Sequence, residues 1–97
     1  MAEHAHIVRV AKYRSLPGAT ADLHEALRAL ADGMRGLPGL FGAQACRLSE
    51  DPEWLALVTR WDNEDAMHAT GNPVIEELVD NVAGLAEEQR LEHFIAD

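Results

Sequence analysis

An α+β fold with the element order βαββαβ is predicted by three features of this 97-residue sequence. Four stretches have the alternating, β-branched or aromatic character of strands, and two regions carry apolar residues at helical spacing. Two of the strand stretches, residues 4–14 and 54–61, are largely apolar on both faces, which marks them as central rather than edge strands. Turn and cap residues fill the gaps between the stretches, with no linker, repeat or low-complexity segment.

The first strand, His4 to Arg14, sets Ile7, Ala11 and Tyr13 on one face with Arg9, and His6, Val8 and Val10 on the other with Lys12. Ser15-Leu16-Pro17-Gly18 is a turn. A helix then runs to about Arg35. Thr20 or a neighbour caps it, and Asp22 lies in the first turn, where the helix dipole favours a carboxylate. Leu23, Leu27, Leu30 and Met34 form one apolar stripe, widened by Ala26 and Ala31. Gly36 and Leu37-Pro38-Gly39 end it.

The second strand, Leu40 to Ser49, is expected to set Phe41, Ala43, Ala45 and Arg47 on one face and Leu40, Gly42, Gln44, Cys46 and Leu48 on the other. Its small residues suggest close approach of a helix or a ligand. Glu50-Asp51-Pro52-Glu53 turns the chain back into the third strand, Trp54 to Trp61. There Trp54, Ala56, Val58 and Arg60 share one face, and Leu55, Leu57, Thr59 and Trp61 the other.

Asp62 or Asn63 caps a short helix that Gly71 breaks. Asn72 and Pro73, cap and first helical residue, restart it. Val74, Ile75, Leu78, Val79 and Val82 make its apolar stripe, and Gly84 or the residues after it end the helix. The last strand spans Glu87 to Ala96, with Leu91, His93 and Ile95 alternating against Arg90, Glu92 and Phe94.

Two β-α-β crossovers of the usual hand join these strands into a four-stranded antiparallel sheet in the order 4-1-3-2. This is a ferredoxin-like arrangement, and residues 1–97 make one domain of it. The helices cover one face. The other is apolar and uncovered, so a homodimer through that face is expected, with a ligand cavity walled by the same surface.

The formal net charge is −9, unevenly spread. Residues 1–49 hold six Lys/Arg and four Asp/Glu, whereas residues 50–97 hold two Arg and thirteen Asp/Glu. Such a balance argues against nucleic acid and anionic membrane as partners, and against a highly anionic substrate. One cysteine, Cys46, excludes a disulfide framework and a thiolate metal site within one chain. Met1-Ala2-Glu3-His4 lacks the basic and apolar regions of a secretory signal, and no stretch approaches a membrane span, so a cytoplasmic location is expected.

Three segments carry a resemblance. Leu37-Pro38-Gly39-Leu40-Phe41-Gly42, then Leu55-Ala56-Leu57-Val58-Thr59-Arg60-Trp61-Asp62-Asn63-Glu64-Asp65-Ala66-Met67, then Asn72-Pro73-Val74-Ile75, resemble the antibiotic biosynthesis monooxygenase family over roughly residues 6 to 96. The resemblance implies a dimeric α+β barrel. It also implies an activity among cofactor-independent quinol and anthrone monooxygenases, haem-degrading enzymes and members of no assigned activity. Many members carry a histidine nine positions after the strand-ending tryptophan, where this chain has Thr70, with His68 nearby. The haem-degrading branch uses a histidine in the second helix, near Val79 or Asp80 here, and an asparagine in the first strand, where this chain offers His6 or Val8. Haem degradation is therefore disfavoured.

In the anthrone and quinol branch, an electron-rich phenolic substrate is deprotonated in an apolar pocket and its anion passes an electron to oxygen. That needs a base, one or two donors and apolar walls. Without a glycine-rich nucleotide loop, no flavin or nicotinamide is expected, and no other cofactor or metal. Trp61 aligns with the family's strand-ending tryptophan, and its indole N–H can donate to a substrate oxygen, though it equally suits a core role. Tyr13 can donate or transfer a proton. Arg60 or Arg9 can stabilise an oxyanion. An imidazole is the natural base, and His68 and His93 are the better placed of His4, His6, His24, His68 and His93. His4 and His6 share a strand face but lack a third ligand. Leu55, Leu57, Phe41 and Arg60 are the expected contacts for a small aromatic ligand. Two alternatives use the same fold without oxygen chemistry: a small-ligand-binding or structural dimer, and a small-molecule isomerase.

Overall fold

The computed structural model describes residues 5–69 and 71–97, so the readings made on His4 and Thr70 lie outside the described residues. The chain forms β1 (His6–Ser15), α1 (Thr20–Met34), β2 (Leu40–Arg47), β3 (Trp54–Trp61), α2 (Glu64–His68), α3 (Pro73–Ala83) and β4 (Ala86–Ala96). All strand pairings are antiparallel, and the sheet order β2-β3-β1-β4 is the expected one. β1 and β3, the strands apolar on both faces, are the central pair.

The core lies between the sheet and the helices. Ala11, Tyr13 and Ser15 of β1 and Leu55, Leu57, Thr59 and Trp61 of β3 are buried, facing the helix layer. Leu23, Leu27, Leu30, Ala31 and Met34 of α1 close over them, with Met67 of α2 and Ile75 and Val82 of α3. Burying each large aliphatic side chain stabilises the fold by about 1.5–3 kcal/mol before the entropy cost is counted.

Several local expectations need correction. The α1 N-terminus has Ala19 at the cap position and no side-chain cap; the Thr20 hydroxyl instead pairs with the Ser15 hydroxyl at 2.8 Å, tying the helix start to the end of β1. The stripe on α3 is narrower than expected. Val74 and Val79 are exposed, because each sits about 100° around the helix from its neighbour Ile75 or Leu78, and one face cannot take both.

Strict alternation also fails in β2. A register shift between Leu40 and Gly42 sets Leu40 opposite Trp61 and Gly42 opposite Arg60. Such a bulge lets adjacent residues change face. Leu40 therefore packs against the core with Ala43 and Ala45, while Phe41 leaves their side, 54% exposed, and meets the ring of His6 edge-on at 5.1 Å.

Gly39 explains how β2 is joined to the rest. Its φ of +82° suits glycine alone among common residues, its carbonyl accepts from the Asp62 N–H at 2.8 Å, and a Cβ there would collide with the Cβ of Ala66. The β2 entrance is thus pinned to the start of α2.

Candidate functional site

β4 is less covered than the rest of the sheet. Its residues Leu91, His93 and Ile95 pair with Ala11, Arg9 and Ile7 of β1, which places them on the helix-facing side. Yet Leu91 is 47% and Ile95 71% exposed, so the helices do not extend over this edge. α2 is a single short turn of helix started by Asn63, whose side chain accepts from the Ala66 N–H at 2.9 Å. It buries Met67 and delivers His68 at its last residue.

The result is a cavity of about 290 Å³ lined by Arg9, Met67, His68, Leu91 and His93. Arg9 and His93 are directly opposed across β1 and β4. Two imidazoles, one guanidinium and two apolar walls therefore share a small space, which is the set of groups needed to take a proton and hold an anion. Tyr13 is buried on the same side of β1, two residues along from Ala11. Burial pushes its phenol above the usual value, and the nearby positive charge of Arg9 pulls the other way.

The remaining candidates are distributed as follows. Trp61 is fully buried in the core, and its indole N–H donates to Thr59 Oγ1 at 2.9 Å. An indole has one N–H, so in this geometry no donor remains for a ligand. Leu55 and Leu57 are buried under the helices, whereas Phe41 and Arg60 lie on the open side of the sheet with His6, whose Nε2 is 3.5 Å from Arg60 Nη1. These four expected contacts do not share one cavity. His24 lines a separate depression between α1 and β2.

Of the two arginines expected to stabilise an oxyanion, Arg9 lines the cavity with the histidines and Arg60 lies on the open face. The strand parity of Arg9 with Ala11 and Tyr13, and the parity of His93 with Leu91, were both visible. What was not visible was the register that sets Arg9 opposite His93, or the α2 geometry that brings in His68.

A larger depression, about 570 Å³, lies on the open face among Val10, Lys12, Trp54, Ala56 and Cys46. Three of its four cations are engaged, Lys12 with Glu92 at 3.4 Å, Arg14 with Glu87 at 3.2 Å, and Arg90 with Glu88 at 2.9 Å while stacking over Trp54 at 5.2 Å; the fourth, Arg47, is exposed. It contains no imidazole, and its larger size alone does not make it the reaction site. Among the described residues, no group of three His, Cys, Asp or Glu is arranged to hold a metal ion, and no helix is long and apolar enough to cross a membrane.

The model of the family described as "Antibiotic biosynthesis monooxygenase" matches residues 6–73. No curated protein matches the chain. Among solved structures, a conserved protein of unknown function from Bacteroides thetaiotaomicron, described as a possible oxidoreductase, superposes with a TM-score of 0.86 at 18% identity, covering 97% of this chain and 100% of that one. A protein from Caulobacter crescentus, named as a candidate antibiotic biosynthesis monooxygenase, gives 0.84 at 18% identity over 97% and 92% of the two chains. A protein from Deinococcus radiodurans, named in the same way, gives 0.82 at 18% identity over 94% and 92%. At these identities the likeness speaks to the fold.

Proposed function

This chain belongs to the antibiotic biosynthesis monooxygenase family, and we propose that it is a cofactor-independent monooxygenase acting on a small phenolic, quinol or anthrone-type substrate. The observation that carries the proposal is the meeting of His68, His93 and Arg9 in one cavity with Met67 and Leu91 as apolar walls.

A flat aromatic held against Leu91 and Met67 brings its acidic C–H or O–H to an imidazole. One histidine takes that proton. Arg9 holds the anion that forms, in a half-buried setting where charge interactions are stronger than in water. The anion passes one electron to dioxygen, and the two radicals combine as a hydroperoxide. At an anthrone methylene, loss of the second C–H proton breaks the O–O bond, so methylene and dioxygen become a carbonyl and water. The substrate supplies every electron that oxygen takes up. The proton that the histidine took returns to the leaving oxygen; Tyr13, buried in the core, does not line the cavity and takes no part in that step. Trp61 acts from behind, fixing Thr59, which is Arg9's neighbour across β1 and β3.

The protein works in this reading as a cytoplasmic homodimer. The open sheet face, where Val8, Val10, Ala56 and Val58 are only half-buried and Phe94 is exposed, meets its copy. Sedimentation of the wild type against Val58→Asp tests this, and a monomeric wild type at micromolar concentration refutes it.

Oxygen uptake by metal-stripped protein with a panel of anthrones and dihydroxynaphthalenes tests the chemistry, with boiled protein as the blank. Replacing the histidine that serves as base should lower the rate by about 10²–10⁴-fold. Uptake no faster than the blank across the panel overturns the oxygenase reading and leaves ligand binding or isomerisation on the same fold.

A further inference from the structure

We propose that Arg9 makes this cavity selective for aromatic ligands that carry one separate carboxylate. The inference rests on reading the cavity as the substrate site and goes beyond it by naming the substrate's second functional group. Arg9 is half-buried, and among the described residues neither an ion pair nor a hydrogen bond engages its guanidinium. The other half-buried cations, Lys12 and Arg14, are each paired with a carboxylate.

The contrast is sharper because acids are abundant. The chain carries 17 Asp and Glu against 8 Lys and Arg. β4 alone brings Glu87, Glu88 and Glu92 close to β1, but they pair with Arg14 and Lys12. Arg9 faces His93 across one strand pair and Thr59 across the other. Met67, His68 and Leu91 complete its surroundings, so none of the groups lining the cavity is an acid. A partly desolvated guanidinium without an internal partner is costly to keep, and a ligand carboxylate offsets that cost. The planar fork of arginine matches a carboxylate with two parallel hydrogen bonds, and its remaining N–H groups are left to face the anion formed at the ring.

Two features limit the ligand. The cavity, about 290 Å³, is at the small end for ligand sites, so it suits a compact flat aromatic rather than an extended one. The net charge of −9 repels polyanions, and one guanidinium matches one carboxylate.

The test is a matched pair, a hydroxynaphthoate and the otherwise identical naphthol lacking the carboxylate, titrated calorimetrically without oxygen. Wild type is expected to bind the hydroxynaphthoate roughly 10–100-fold more tightly, the range for a charge-assisted pair. Arg9→Gln should lose that preference, and Arg9→Lys should keep part of it, having the charge without the fork. Thermal unfolding of each variant checks that it is folded.

Equal binding of the pair by wild type, or binding of neither, overturns the inference without needing a variant. A preference that survives in folded Arg9→Gln overturns it too, since the carboxylate is then read elsewhere. Oxygen uptake with neutral quinols is measured separately. A carboxylate preference with no uptake removes the oxygenase reading and keeps this inference; uptake with no preference does the reverse.

Discussion

The hydrogen bond from Trp61 to Thr59 decides whether the tryptophan serves the core or a ligand, and a double-mutant cycle measures it. The donor and acceptor are 2.9 Å apart, and both residues are almost completely buried. Trp61→Phe removes part of a packed side chain and leaves space behind. Lost burial and residual cavity should cost about 2–3 kcal/mol, with up to about 1 kcal/mol more from the Thr59 hydroxyl left without its partner. Thr59→Val keeps the shape but strands the indole N–H away from water, at about 1–3 kcal/mol. With both replaced, no polar group is orphaned, so the double variant should lose about 1–2 kcal/mol less than the sum of the singles. Urea unfolding at one fixed protein concentration supplies the three differences, since self-association would make stability concentration-dependent. Additivity within about 0.5 kcal/mol refutes the argument. The indole N–H would then be uncommitted, and Trp61 would return as a donor to substrate.

Three further outcomes follow from single features. Gly39→Ala forces a left-handed backbone onto alanine and drives its Cβ into Ala66, so urea unfolding should show a loss of about 2–4 kcal/mol; adding Ala66→Gly should restore the part due to overlap. Tyr13 has a folded-state pKa above its usual 10.0, so its contribution is fully present below pH 10 and is lost as the pH rises through the folded value. Stability measured from pH 9 to 11.5 should therefore fall less steeply in Tyr13→Phe than in wild type, and equal slopes would sink the claim. Asn72→Ala removes the acceptor for the Val74 and Ile75 N–H groups and should cost about 1 kcal/mol, whereas Asn72→Asp should be close to neutral in the same denaturation assay.

The strand order was legible because two-sided apolarity is a property of central strands, and β1 and β3 both have it. The α1 stripe was legible because four large apolar residues at helical spacing leave one way to bury them. The cap at Asn72 was legible from residue chemistry alone, whereas α2 ends at His68, ahead of the expected break at Gly71. Phe41 was not, because one extra residue in β2 moves a side chain to the other face, and nothing in Leu40-Phe41-Gly42 announces which residue is extra. Trp61 illustrates a different limit. Its place on the helix-facing side followed from alternation, but whether an indole N–H points to a ligand or to a neighbour depends on which acceptor lies beside it. Thr59, two residues back on the same face, supplied it. The histidines show the third limit. His68 and His93 were nominated separately, and only the pairing of β1 with β4 together with the position of α2 puts both beside Arg9.

The break between α2 and α3 is the step that turns a packed fold into one with a cavity. A continuous helix over the same residues would have to present one rotational face throughout, and Pro73 forbids it by lacking an N–H and crowding the preceding turn. Breaking it carries a cost, because two new helix ends expose unsatisfied backbone groups and a helix as short as α2 is unstable alone. Asn63 and Asn72 answer the first cost by accepting from the N–H groups of Ala66, Val74 and Ile75. The burial of Met67 and the close approach of Gly39 to Ala66 answer the second. Freed from α3, α2 can send Met67 into the core and the next residue, His68, to the rim of the uncovered β1–β4 edge. The same edge carries Arg9 and His93, so the incompleteness of the helix layer and the chemistry of the candidate site have one structural origin.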